Sequence, residues 1–338
     1  MAYIPGKTLQ YHMNRLAGTL NAFDVPTLDA QGAANLWAGS SGLAIVGALN
    51  KKAGTSGLEL QGVLNFLAGT SGLGENEASA RIESWTAIPT RADLSVWYDG
   101  SAVNGLGVNN PADAAVITTW KDLSGNGRDL TQGTNSLRPV FAQSAAVVNS
   151  QPSVWFNNNT DTMSTVSNVP MIAQKSIYAV VHRISSGVVS PQSIYAQRNP
   201  SASAYGPQLR LTGVGASSAT TVDYRVATNP DLSTVTSSTT VANGSTNVLS
   251  MVADGSGSTV TSIKGFINGT LRGSTTGSGD LTATSNIITV GAVTILAALH
   301  HCVYGYYATI LAYDTAHTDT QRLAIERWLG SRYGITVA

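Results

Sequence analysis

From about residue 93 to its end, the chain is predicted to fold as a mainly β, antiparallel sandwich closed by one helix. Three observations predict it. Alternating apolar and polar residues recur in short runs, turn-forming residues separate the runs, and one capped helical pattern ends the chain.

The runs are "PSVWFN" (152–157), "SIYAVVHRI" (176–184), "QSIYAQR" (192–198), "PQLRLTG" (207–213), "TVDYRVA" (221–227), "NVLSMVADG" (247–255), "SIKGFINGTLRGS" (262–274), "NIITVGAV" (286–293) and "GYYATILAYD" (305–314). β-Branched and aromatic residues dominate them, and such side chains pack well on a pleated surface. Within "INGTL" (267–271), Asn268-Gly269 is the pair that a two-residue hairpin turn needs. Thr318 and Gln321 form a capping-box pair at the start of the closing helix. Ile325, Trp328 and Leu329 share one of its faces, and Gly334 can end it. Trp328 is expected to anchor the helix on the sandwich.

Residues 1–90 have a different period. "LDAQGAANLWAGSSG", "LAIVGALNKKAGTSG" and "LELQGVLNFLAGTSG" begin at Leu28, Leu43 and Leu58, a 15-residue repeat. In the third copy Leu60, Val63, Leu64 and Leu67 form one helical stripe, Ser56 and Glu59 a capping-box pair, and Gly69 a C-terminal cap. Helices this short do not persist alone in water, so their stripes must bury against one another or a partner. "IPTRA" (88–92) is the expected boundary.

Composition narrows the function classes. Nineteen basic residues balance nineteen acidic ones, without the basic excess by which nucleic-acid binders neutralise phosphate. Cys302 is the one cysteine, so no internal disulfide framework exists. Neither a signal-peptide core nor an 18-residue apolar stretch is present, and a soluble chain without membrane insertion is expected.

Several stretches in order resemble a known family. "LSVWYDGS" (94–101), "VITTWKDLSGNGRDLTQ" (116–132) with "RPVF" (138–141), "QPSVWFN" (151–157), "GFINGTL" (265–271), "ITVGAV" (288–293) and "GYYATILAYDTAHTDTQRLAIERWLGSRYGI" (305–335) carry the likeness. Residues 93–338 resemble the laminin-G-like branch of the concanavalin A-like jelly rolls, in the form common in phage and bacterial surface proteins. The resemblance implies a jelly-roll β-sandwich with a closing helix. The repeats, over about residues 10 to 80, resemble N-terminal segments of minor tail proteins of phages infecting actinobacteria.

Each candidate for chemistry has a plainer reading. Asp122, Ser124, Asn126 and Gly127 fit the first positions of a calcium loop, but Gly133 stands where the bidentate Glu belongs. The stretch reads as a hairpin corner, with Asn126-Gly127 supplying positive φ and Trp120 as a core or edge aromatic. "PGKT" (5–8) lacks the first glycine and preceding strand of a P-loop. His300, His301 and Cys302 are adjacent, yet only His300 and Cys302 would share a strand face, too few ligands for zinc. A Glu-x-Asp-x-Glu strand is missing. Glu59, Glu75, Glu77 and Glu83 fall in or just after the repeats, and Glu326 in the closing helix. Trp155, Tyr195, Tyr205, Tyr224, Arg198 and Arg210 could supply the aromatic faces and polar groups of a sugar site.

No catalytic, metal or cofactor-binding residue is assigned, and no enzyme is expected. The role implied by both resemblances is a bacteriophage virion structural protein, a minor tail (tail-tip) protein displaying its jelly roll for host-surface contact. The alternatives are a capsid decoration or head-fibre protein or a glycan-binding adhesin, with a polysaccharide depolymerase last. Expected partners are other virion proteins through residues 1–90 and host cell-surface glycan. Homo-oligomerisation is expected, and neither a cofactor nor nucleic acid. The expected place is the virion, after synthesis in the host cytoplasm.

Overall fold

The computed structural model describes residues 93–105, 109–158, 160–184, 192–198, 205–212, 219–226, 228–229, 234–281, 285–295 and 298–338. Nearly all belong to one compact unit, Thr90–Gly105 with Asn110–Ala338. The repeats of residues 1–90, "PGKT" and the boundary at 88–92 lie outside the described residues.

In chain order the first strands are β1 (Leu94–Asp99), β2 (Thr119–Trp120), β3 (Leu130–Thr131), β4 (Val140–Ala145), β5 (Gln151–Phe156), β6 (Thr162–Thr165) and β7 (Val169–Pro170). Next come β8 (Lys175–Arg183), β9 (Gln192–Arg198), β10 (Tyr205–Thr212), β11 (Ala219–Val226), β12 (Thr228–Asn229), β13 (Thr234–Ala242) and β14 (Thr246–Ser256). The last are β15 (Thr259–Ile267), β16 (Thr270–Leu281), β17 (Ser285–Asn286), β18 (Ile288–Gly291), β19 (Val293–Ile295), β20 (Ala298–Cys302) and β21 (Gly305–Tyr313). Helix α1 (Asp319–Tyr333) follows.

One sheet runs β12-β16-β15-β14-β8-β21-β5-β4, with β1 also paired to β21. The other runs β13-β11-β10-β9-β18-β6-β3-β2, with β20 joining β9 and β19 pairing β20. β7 and β17 form a small ladder of their own. The long pairings are antiparallel, and β20 beside β9 is parallel. This is the antiparallel β-sandwich with a C-terminal helix expected from the sequence.

The core lies between the sheets. Val154, Phe156, Ile177, Ala179, Val181, Leu249 and Met251 point inward from one, and Ile194, Leu209, Leu211, Val222, Tyr224 and Val290 from the other. Strand β8 is buried along its whole length because its second face is also covered. There Ser176 and Tyr178 lie under the segment that leads into α1. Ser176 Oγ donates to Thr315 O at 2.8 Å, and Tyr178 Oη meets His317 Nδ1 at 2.7 Å. Burial on both faces explains why "SIYAVVHRI" reads as a nearly continuous apolar run.

Helix α1 starts and stops where the sequence places it. Thr318 and Gln321 form the reciprocal capping box, and Gly334 adopts the left-handed C-cap at φ 68°. Ile325, Trp328 and Leu329 are buried, so Trp328 does anchor the helix. Beyond Gly334 the chain turns back, and Ala338 N donates to Asn268 O at 3.0 Å. The Asn268-Gly269 turn has the expected positive φ angles, 49° and 86°, between paired Ile267 and Thr270.

The corner at 120–130 needs one correction. Trp120 pairs with Leu130, so a hairpin is present, and Trp120 is fully buried. Its positive φ angles fall at Gly125 (94°) and Gly127 (67°), not at Asn126. The loop 121–129 is too long for a two-residue turn, and Asn126 acts through its side chain. Its Nδ2 donates to Leu94 O at 2.9 Å and Ser95 O at 3.0 Å, tying the loop to β1.

Candidate functional site

The outward face of the first sheet carries the site. Directly paired residues of antiparallel strands share a face, so the register defines lateral rows of side chains. One row, Trp97, Leu311, Tyr178, Ser250 and Phe266, lies toward the N-terminal half of α1. Glu326 accepts from Ser250 Oγ and from Arg322, and the Arg322 guanidinium sits 3.7 Å over the Phe266 ring. The next row includes Asp99, Thr309, Val180 and Val248, and Arg332 in the last turn of α1 reaches Asp99.

The following row lies past the end of the helix. It runs Val116, Val140, Trp155, Tyr306, His182 and Thr246, one residue from each successive strand or bridge. Val116 is 48% exposed, Val140, Trp155, Tyr306 and Thr246 are partly exposed, and His182 is buried. The Trp155 and Tyr306 rings stack with centroids 5.5 Å apart and planes 18° from parallel. The His182 ring lies 6.2 Å from Tyr306. Past the end of the helix an aromatic platform of two rings, flanked by Val116 and Val140 on one side and by His182 and Thr246 on the other, is therefore left partly exposed.

Hydrogen bonding orients the far end of this row. Thr246 Oγ1 donates to Val147 O at 2.5 Å, which uses its single proton. The 2.8 Å contact between His182 Nδ1 and Thr246 Oγ1 must then be donated by the imidazole. Burial lowers the His182 pKa and keeps the ring neutral.

Thr246 also lines a groove of about 490 Å³ at the C-terminal end of α1. Small-molecule sites span about 300–1,000 Å³. One wall is the 3-10 turn Ala146–Val148 with Asn149, the other is Tyr333 to Thr336, and Asn268 joins Thr246 in the lining. Asn149 Nδ2 donates to Arg332 O at 3.2 Å and so pins one wall to the other. The arrangement offers ring faces, hydroxyls and amides side by side, which suits a polyhydroxylated ligand.

The six residues singled out from sequence do not converge. Trp155 is in the platform. Tyr195 and Tyr224 are fully buried in the core, and Tyr224 Oη donates to Phe266 O at 2.9 Å. Arg210 is on the outward face of the other sheet, paired with Asp223 at 3.1 Å. Tyr205 and Arg198 fall on β10 and β9, and their side chains lie outside the described residues, as do those of His300, His301 and Cys302 on β20. Asp122 is committed to peptide groups. Its Oδ1 accepts from Trp97 N and Ser124 N, and its Oδ2 from Ser124 Oγ and Arg128 N. Tyr306, His182 and Thr246 were not singled out from sequence.

No family model and no curated protein matches the chain. Solved structures align with it at low identity. Domain 4 of AbnA, a GH43 extracellular arabinanase from Geobacillus stearothermophilus in complex with arabinotriose, aligns at 15% identity and TM-score 0.46. That alignment covers 70% of this chain and 98% of that one. Trypanosoma rangeli sialidase in complex with sialic acid aligns at 12% identity and TM-score 0.44, over 72% of this chain but only 34% of the sialidase. The CBM40 of Ruminococcus gnavus IT-sialidase, bound to α2,3 sialyllactose, aligns at 15% identity and TM-score 0.35, over 45% of this chain and 80% of that one.

These alignments correct one expectation. The sequence reading expected no enzyme, because no strand carries Glu-x-Asp-x-Glu, and kept a polysaccharide depolymerase as its last alternative. The aligned structures include one domain of an arabinanase and a sialidase, so that expectation is withdrawn. Its physical weakness is plain, because catalytic carboxylates can be assembled from separate strands and loops. At these identities the likeness is one of fold, and fold does not fix function.

Proposed function

We propose that residues 93–338 form a carbohydrate-recognition module, as in the glycan-binding alternative raised from sequence. The observation that carries this reading is the stacked, partly exposed Trp155–Tyr306 pair beside a groove of hydroxyl and amide groups. Sugar rings present apolar C–H faces to aromatic rings and hydroxyls to amides, so such a surface matches both. The full chain should be retained on immobilised cell-wall or capsular polysaccharide, and Trp155→Ala and Tyr306→Ala should each release it. Equal retention of both variants would remove the platform from the reading.

The mode of display belongs to the same proposal. Residues 1–90, with apolar stripes too short to fold alone, attach the module to a phage virion. Immunogold microscopy with antibody against residues 93–338 tests this on purified particles. Label at the tail tip supports a minor tail protein, and label over the head supports capsid decoration. Unlabelled intact particles would argue against virion display.

A further inference from the structure

We propose that the platform and groove form one continuous site for an uncharged, linear oligosaccharide, one ring stacked on Trp155–Tyr306 and the next rings in the groove. This rests on the carbohydrate reading above and names the ligand class.

Continuity comes from the register. Trp155, Tyr306, His182 and Thr246 lie on four neighbouring strands, β5, β21, β8 and β14, with Trp155, Tyr306 and Thr246 partly exposed and His182, 5% exposed, forming the floor between them. Three steps of about 4.8 Å give a row of roughly 14 Å, longer than a single sugar ring. Thr246 belongs to the row and also lines the groove, so the two features meet at that residue. The direction follows: the chain of sugars crosses the strands toward the C-terminal end of α1.

Charge selects the ligand class. Among the described residues, none that lines the groove carries a charged side chain. Tyr333 and Gly334, at the end of α1, form part of one wall, and the carbonyl end of a helix carries about half a negative charge. The nearest cation in sequence, Arg332, is buried and spent on Asp99. His182, in the row, is buried and donates to Thr246 Oγ1, and burial lowers its pKa, which disfavours the charged ring. A uronate or sialate carboxylate placed here would face partial negative charge, with no cation in the groove lining among the described residues to receive it. An uncharged sugar incurs no such cost.

The test is calorimetric titration of the full chain against two probe sets. One holds neutral trisaccharides (cellotriose, maltotriose, arabinotriose), and the other acidic ones (trigalacturonate, sialyllactose). The expected result is binding confined to the neutral set, with Trp155→Ala weakening it roughly tenfold through the lost stacking face. Exposed Thr336, in the groove wall, provides a second variant that leaves the core untouched. Thr336→Arg should weaken neutral binding and admit an acidic probe. Binding of the acidic set alone, abolished by Trp155→Ala, would overturn the inference and leave the carbohydrate reading standing. Neutral binding indifferent to both variants would overturn the site. Binding of neither set would overturn the carbohydrate reading and this inference with it.

Discussion

Arg332 and Asp99, 233 residues apart in the chain, meet as a two-pronged ion pair beneath the last turn of α1, Nη1 to Oδ2 at 2.6 Å and Nη2 to Oδ1 at 2.8 Å. Their side chains are 4% and 1% exposed. Asp99 also accepts from Ser101 N and Oγ and from Thr309 Oγ1, so its carboxylate joins β1, β21 and the helix. Removing one partner strands a buried charge, which costs about 3–5 kcal/mol. Arg332→Met should lower the stability measured by urea unfolding by that amount, and Asp99→Asn in the same chain should recover part of it. A loss below about 1 kcal/mol would mean that the pair does not hold the helix.

His317 predicts a dependence on pH. Burial pushes its pKa down to about 4, against about 6.5 for a free imidazole. His317 is 5% exposed, Tyr178 Oη contacts Nδ1, and Nε2 is enclosed without a partner among the described residues. A depressed folded pKa means that its stabilising contribution is complete above pH 6.5. It is lost as pH falls toward 4, up to about 3 kcal/mol over the window. Asp161 opposes this slope: burial raises its pKa to about 6, so its contribution is present at low pH and lost as pH rises through 6. Comparing the chain with His317→Gln isolates the histidine. The variant should lose less of its Tm between pH 7 and pH 4.5 than the unaltered protein. Identical slopes would refute the assignment.

The frame of the fold was legible because its signals are local. The β-branched and aromatic runs marked β5, β8, β9, β10, β11, β14, β15, β18 and β21, and the capping box and glycine marked both ends of α1. β13, "TVTSSTTVA", was missed because hydroxyl side chains hide its period, although Val235 and Val241 turn inward. The site was less legible. In β11, Tyr224 shares parity with Val222 and Val226, so its place in the core could have been read. In β21, Ile310 and Ala312 face the core, and strict alternation would place Tyr306 there too. The irregularity between Tyr307 and Thr309 reverses the parity, burying Tyr307 and turning Tyr306 outward. Pairing register makes that reversal, and no local pattern announces it.

Gly265 shows how tightly the two sheets meet. A Cβ placed on it would lie 2.0 Å from Cδ2 of Tyr224, whose ring rises from the opposite sheet. Gly265→Ala should therefore cost about 1–3 kcal/mol through overpacking. Tyr224→Leu in the same chain should relieve part of that cost, giving a coupled double-mutant cycle by denaturant unfolding. Simple additivity would show that the alanine is accommodated elsewhere.

Asp122 separates a structural corner from a calcium loop. Both of its oxygens already accept from neighbours, three of the four donors being backbone N–H groups, at 2.8–3.0 Å. A calcium ion would have to displace those donors, and each displaced buried N–H would lose its acceptor. Asp122→Ala should lower stability by roughly 1–3 kcal/mol, because it orphans donors in β1 and in the loop 121–129. Asp122→Asn should cost less, since an amide oxygen still accepts where the second position tolerates a donor. Millimolar calcium should leave the Tm of the unaltered chain where it stands in chelator. A calcium-dependent rise in Tm that Asp122→Asn abolishes would show that the loop opens to a metal, and the corner reading would fall.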